Sequence, residues 1–209
     1  MKKDDLIIIG SGGHARVVID TAEQSGFNIL GIIDINYKNN DEKIIGYEVI
    51  GNFTALSKFL PNKTSVIIAL GDSKLRSKFF YNCLEQGYNL PSIIHPTSII
   101  SKHVKIGKSV FINAGVIINS EVDIGDNSII NTGAIIDHEC NIGKHCHIGP
   151  GVKVAGRVHI GEHTFVGIGS TIIDKITIGN NVMIGAGSVI IRDIESDSTV
   201  VGIPGKRIK

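Results

Sequence analysis

One apolar residue recurs at every sixth position over almost half of this chain. Stepping from Ile94 gives Ile100, Ile106, Ile112, Ile118, Ile124, Ile130, Ile136, Ile142, Ile148, Val154, Ile160, Val166, Ile172, Ile178, Ile184 and Ile190, seventeen positions without an exception. The register stops at Tyr88 on one side and Ser196 on the other. Two residues before many of these stands a small or β-branched residue, as at Ser98, Val110, Ser128, Ala134, Cys140, Cys146, Thr164 and Ser188. Five Ile-Gly pairs, from Ile106-Gly107 to Ile178-Gly179, follow one another at intervals of 18, so three six-residue faces make one coil. A chain with this rhythm folds as a solenoid, because each coil can bury its inward residues only by stacking them on the next. With aromatics at 5% and no Trp, the filler of that core is Ile and Val.

Alternation along each short strand sorts the remaining side chains. The histidines of this region are His95, His103, His138, His145, His147, His159 and His163, and none stands on either inward position. They are expected on the outer surface or at corners. Cys140 and Cys146 fall on the inward small position and read as buried filler, since free Cys behaves as a small hydrophobe.

Residues 5–87 keep a different rhythm. Leu6-Ile7-Ile8-Ile9 reads as a buried strand, followed by a glycine turn and the helical pattern beginning at Arg16. Ile29 to Asp34 reads as a second strand and Val66 to Leu70 as a third, with a helix from Ser73 to about Gln86. These predict a three-stranded parallel βαβ domain of Rossmann-like type. Gly10-x-Gly12-x-x-Ala15 suits a phosphate-cradling turn, and Asp34 stands near the place of a ribose-binding acid. With no second mononucleotide half before the solenoid, a single nucleotide or nucleotide-linked sugar fits better than a dinucleotide. The expected organisation is 1–90 as a nucleotide-sugar-binding domain, 91–195 as the β-helix and 196–209 as a C-terminal tail.

The net charge of +1 gives no general reason to bind nucleic acid or an anionic membrane. No run of apolar residues is long enough to span a bilayer, and the first residues are too short for a signal peptide, so a cytoplasmic protein is expected. Three cysteines in unclustered spacing support neither a disulfide framework nor a zinc site.

The Gly12-Gly13-His14 turn, His138-Glu139-Cys140 with His147 nine residues on, Ala155-Gly156 and the ending Val201-Gly202-Ile203-Pro204-Gly205-Lys206-Arg207 together resemble the hexapeptide-repeat bacterial sugar acetyltransferases. That group includes the UDP-amino-sugar N-acetyltransferase of bacillosamine synthesis and the sialic acid O-acetyltransferases. The resemblance covers nearly the whole chain. It implies a left-handed parallel β-helix, a homotrimer, acetyl-CoA as co-substrate, no metal, and a nucleotide-linked amino sugar of UDP-4-amino type as acceptor, for surface glycan or glycoprotein synthesis. It further implies His138 as general base with Glu139 as the acid that orients it. Asn131, His147, Gly156, Ile168, Ala186 and Lys206 are implied on the acetyl-CoA side, with the Gly156 N–H meeting the thioester carbonyl. Gly10, Ser11, Gly12, Gly13, His14, Asp34, Gly71, Asp72 and Arg76 are implied on the nucleotide-sugar side. Ala15, where many relatives have Gly, and Gly205, where many have Ala, depart from the pattern.

The bare residues agree with that chemistry, because acetyl transfer from a thioester needs a base for the acceptor's proton and an N–H donor for the tetrahedral oxyanion. His138 stands between two carboxylates, and one coil further on is Gly156, which has no side chain to obstruct a thioester. Sialic acid O-acetylation is the alternative within the enzyme class. Two rivals lie outside it. His145 and His163, one coil apart, resemble the zinc-binding histidines of γ-class carbonic anhydrases, against an expectation of solvated corner residues. A non-catalytic trimeric scaffold is the other, and the outward His138-Glu139 pair argues against it.

Overall fold

The computed structural model describes residues 4–38 and 42–209. It divides into two compact units, Met1–Pro96 and Thr97–Lys209. In the first, β1 (Asp5–Ile9), β2 (Asn28–Ile33), β3 (Lys43–Ile44), β4 (Tyr47–Gly51) and β5 (Ser65–Ile68) form a sheet in the order β3-β4-β2-β1-β5. β1 lies between β2 and β5 and is parallel to both, β4 extends the parallel set beyond β2, and only β3 runs antiparallel. The three predicted strands are present, but the sheet has five strands rather than three. The missed pair lies at the edge, where Gly46 makes a tight turn with φ 84° and a half-buried Tyr47-Glu48-Val49-Ile50-Gly51 carries no continuous apolar run.

Helix α1 (Gly13–Gln24) turns Ala15, Val18, Ile19 and Ala22 inward at helical spacing. Helix α2 (Ser73–Glu85) starts where expected, its N-terminus capped by the Asp72 carboxylate accepting from the Leu75 N–H at 2.7 Å. Phe79, Phe80 and Cys83 of α2 pack with Ile7, Ile9, Ile33, Val66 and Ile68 of the sheet. These contacts fix the ends of the strands, where the glycine turns lie.

The second unit is a parallel β-helix of two-residue strands. Its first face runs from Ile99–Ile100 to Val189–Ile190, its second from Lys105–Ile106 to Thr177–Ile178, and its third from Phe111–Ile112 to Met183–Ile184. Each strand pairs in parallel with the one 18 residues on, as Ile118 with Ile136 and Ile136 with Val154. The Ile/Val ladder is buried from Ile112 onward. Corner residues such as Glu139, His145, Arg157 and His163 adopt φ near 60°, the left-handed turn that bends one face into the next. The segment after residue 195 supplies Thr199–Val201, parallel to Met183–Ile184, and Lys206–Arg207 folded back antiparallel upon it, which covers the last strand edge of the third face. No helix among the described residues is long and apolar enough to cross a membrane.

Candidate active site

His138 sits at the corner between the first and second faces, on the turn after Ile135–Ile136. Its Nδ1 lies 2.8 Å from Glu139 Oε2, a contact that places a ring proton on Nδ1, so that in the neutral imidazole Nε2 is the acceptor. Both side chains are about half exposed, at 45% and 48%, so a substrate can reach them. The Glu139 carboxylate also faces Arg157 Nε of the next coil at 3.9 Å. Asp137 Oδ1 accepts the His138 N–H at 2.8 Å and the Asn119 side-chain N–H at 2.8 Å. The Asn119 hydrogen bond, with that of the His138 amide, holds the Asp137 carboxyl below its usual range.

Gly156 is placed one coil beyond His138, and a Cβ built on it would stand 2.6 Å from His138 Nε2 and 2.7 Å from Cε1. The imidazole therefore occupies space that any other residue at 156 would fill. The Gly156 N–H donates to no protein acceptor among the described residues, leaving it available next to the ring nitrogen. Beneath this corner the Cys140 thiol is buried, donating to the Ala155 carbonyl at 3.1 Å, and burial pushes its pKa up.

A second group assembles on the third face, on the opposite side of the prism. His147 lies on the strand His147–Ile148, with Nε2 3.2 Å from the Asn131 side-chain nitrogen. Asn131 Oδ1 accepts from the Thr132 N–H at 2.8 Å and from Asn113 at 3.1 Å, so its amide nitrogen is the one turned toward His147. Phe165, one coil on, presents its ring edge-on to His147 with centroids 5.1 Å apart. On the adjoining corner Ile168 is 58% exposed and Ala186 stacks one coil above it, also exposed. Lys206 is exposed on the strand Lys206–Arg207. At Gly205 a Cβ would meet Ile190 Cδ1 at 2.8 Å and Val200 Cγ1 at 2.9 Å, so alanine there requires those side-chain ends to shift. Within one chain, then, His138, Glu139 and Gly156 come together, as do Asn131 and His147, but the two groups do not meet.

The first unit gathers the remaining predicted residues at the carboxyl ends of β2, β1 and β5, where parallel sheets bind ligands. Gly10 ends β1 with φ 121°, and a Cβ there would strike the Ala69 carbonyl at 2.6 Å, so the fold itself requires glycine. Gly12, Gly13 and Gly71 differ: a Cβ on any of them would meet nothing within 4 Å. Ser11 and Gly12 turn their carbonyls to Arg16, each at 3.2 Å, and His14 lies in the first turn of α1. Asp34 follows β2, with Oδ1 accepting from the Asn36 N–H at 3.0 Å. Arg76, expected at the nucleotide, is instead 1% exposed, its guanidinium bonded to the carbonyls of Leu70 at 3.0 Å and Gly71 at 2.9 Å. It holds the Leu70-Gly71 loop from below, because α2 faces that part of the chain toward the sheet.

The expectation of solvated corner histidines at 145 and 163 also needs correction at His145, while His163 stands half-buried at its corner. His145 is 1% exposed, stacks on His163 with ring centroids 4.7 Å apart, and pairs through Nδ1 with the Asn127 side chain at 2.9 Å. Left-handed backbone at Asn127, His145 and His163 aligns these side chains along the coil axis, so each covers its neighbour. His95 is likewise buried. Among the described residues, no group of three or more His, Cys, Asp or Glu side chains is placed to hold a metal ion.

Comparisons with known proteins bear on both units. Residues 5–83 match the family model described as the PglD N-terminal domain, and residues 157–192 match the bacterial transferase hexapeptide (six repeats). Perosamine N-acetyltransferase from Caulobacter crescentus, solved with CoA and GDP-perosamine in a form with one histidine replaced by asparagine, is 36% identical with a TM-score of 0.94, over 98% of this chain and 97% of that one. The chain belongs to the hexapeptide-repeat bacterial sugar acetyltransferases. The acetyltransferase domain of PglB from Neisseria gonorrhoeae, in complex with acetyl coenzyme A, is 30% identical with a TM-score of 0.92, over 99% of this chain and 100% of that one. WeeI from Acinetobacter baumannii, 22% identical with a TM-score of 0.89 over 99% of this chain and 100% of that one, shares the fold. No match was found among curated protein sequences.

For a sugar acetyltransferase, several supporting residues escaped the sequence reading: Asn113, Asn119 and Phe165. Each is 18 residues from a predicted or neighbouring site residue (Asn131, Asp137 and His147), so stepping one coil up or down from each candidate is the signal that finds them.

Proposed function

We propose that this protein transfers the acetyl group of acetyl-CoA to the amine of a nucleotide-linked amino sugar, of UDP-4-amino type, in the cytoplasm, for bacterial surface glycan or glycoprotein synthesis. The observation that carries this reading is the His138 ring, held by Glu139 at Nδ1 and laid against the bare Gly156. Nε2 of that ring accepts a proton from the attacking amine as nitrogen bonds to the thioester carbon. The Gly156 N–H donates to the carbonyl oxygen as it becomes an oxyanion. Glu139 stabilises the imidazolium formed, in the manner of the carboxylate of a catalytic triad. As the tetrahedral adduct collapses, the carbon–sulfur bond breaks, and the imidazolium returns its proton to the departing sulfur. An amide and free CoA result, and the base is regenerated.

Exposed Ile168 and Ala186 suit the apolar stretch of the CoA arm, and Lys206 suits its phosphates. Room above Gly12, Gly13 and Gly71 suits close approach of a diphosphate to backbone, with Asp34 on the ribose. The likeness to a perosamine N-acetyltransferase supports an amine rather than a hydroxyl acceptor. We further propose a homotrimer, in which the third face of one chain meets the His138 corner of the next. Support comes from two outward strand positions of that face, Phe165 and Met183, which are apolar and not covered within the chain, Phe165 half-buried and Met183 48% exposed. The second face shows Lys105, Asp123, Asn141 and His159 at the same position.

The test is acetyl-CoA-dependent thiol release with a panel of UDP- and GDP-linked sugars carrying an amine or only hydroxyls. Turnover confined to amino sugars, fastest with the UDP-linked 4-amine, is expected. Equal rates with hydroxyl sugars, or no release with any amine, would contradict the reading.

A further inference from the structure

The outer position that begins each turn at the His138 corner carries Ser101, Asn119, Asp137, Ala155, Ile173 and Ile191, from the first coil to the last. Directly paired polar side chains occur there at the coil of His138 and the coil beneath it. Asn119 donates its side-chain N–H to Asp137 Oδ1 at 2.8 Å, and the same oxygen takes the His138 backbone N–H at 2.8 Å. The backbone N–H of Asn119 donates to the Ile136 carbonyl at 2.9 Å, so the support rests on the ladder.

We infer that Asn119 and Asp137 form a clasp that positions His138, with Asn119 a positioning residue for acetyl transfer that touches no reacting atom. The inference rests on His138 being the base. Three constraints then fix one ring: Asp137 sets the backbone from which it springs, Glu139 holds Nδ1, and the bare Gly156 sets how far Nε2 can advance. Ionised Asp137 accepts both hydrogen bonds, and the Asn119 side chain favours that ionised form. The Asn119 side chain is exposed, so water competes for this hydrogen bond and its net contribution to global stability is modest. Its geometric contribution is larger, because a displacement of about 1 Å at a reacting group can cost about a hundredfold in rate.

The experiment measures kcat, KM for acetyl-CoA and melting temperature for Asn119→Ala in the wild-type and His138→Ala backgrounds, with Asn119→Asp alone and combined with Asp137→Asn. In the wild-type background Asn119→Ala should lower kcat about tenfold or more, leaving KM for acetyl-CoA and the melting temperature unchanged. In the His138→Ala background it should cost nothing further, because a residue acting through the base is non-additive with its loss. Asn119→Asp sets two carboxylates against each other and should lower kcat at least as much. Adding Asp137→Asn restores a donor–acceptor pair and should recover activity. Unchanged kcat in Asn119→Ala, or the same fold loss in both backgrounds, would overturn the clasp. Full activity of His138→Ala by itself would instead remove the base on which the clasp depends.

Discussion

In the proposed reaction His138 is the residue on which the chemistry turns. His138→Ala is expected to lose about 10²–10⁴-fold in kcat with acetyl-CoA affinity retained, as measured by turnover beside equilibrium binding, since a general base acts on the acceptor's proton. Loss of CoA binding in step with turnover would show that the side chain holds the co-substrate instead. Gly156 separates two roles that glycine can fill. Gly156→Ala keeps the backbone N–H but brings a Cβ to 2.6 Å from Nε2, so activity should fall as steeply as in the histidine variant, and a near-normal rate would mean that the amide alone matters. Cys83, Cys140 and Cys146 are all buried, and burial pushes the Cys83 thiol up to about 12. A thiol-specific disulfide reagent at pH 8 should therefore label none of the three in the folded protein and all three in denaturant; stoichiometric labelling of the native state would contradict the inward assignment of the two β-helix cysteines.

At the scale of elements, the coil owes its stability to the stacked Ile/Val ladder. Ile142 is 1% exposed between Ile124 and Ile160, and Ile142→Asp would leave an unpaired carboxylate in that stack, costing several kcal/mol out of a typical ~5–15. Thermal unfolding should show a large drop; a variant that melts like wild type would break the register. This architecture was legible because a six-residue period is physically redundant, with seventeen positions stating one rule. The edge strands β3 and β4 were not legible, since a short half-buried edge presents no period. The same limit applied to the side chains of the site. The nine-residue spacing from His138 to His147 showed that they face opposite ways, but the burial of His145 depends on how left-handed corners align side chains between coils. The inward turn of Arg76 likewise depends on which way α2 faces, which spacing alone does not record.

For the whole molecule, the separation of the two histidine groups is the central fact. His138, Glu139 and Gly156 lie on one corner and Asn131 and His147 on the face across the prism, so on the proposed function one chain carries two halves of different sites. In the proposed homotrimer a closed three-fold ring would join them, because each interface of such a ring is heterologous and presents the corner of one chain to the face of the next. Light scattering should report a trimer at working concentration, and an active monomer would refute the ring. The most direct test unfolds and refolds together equal amounts of His138→Ala and His147→Ala chains, each inactive alone. With random assortment, about one quarter of the interfaces pair an intact His138 with an intact His147, so the mixture should recover about a quarter of wild-type turnover. Mixed trimers as inactive as either parent would contradict the shared site.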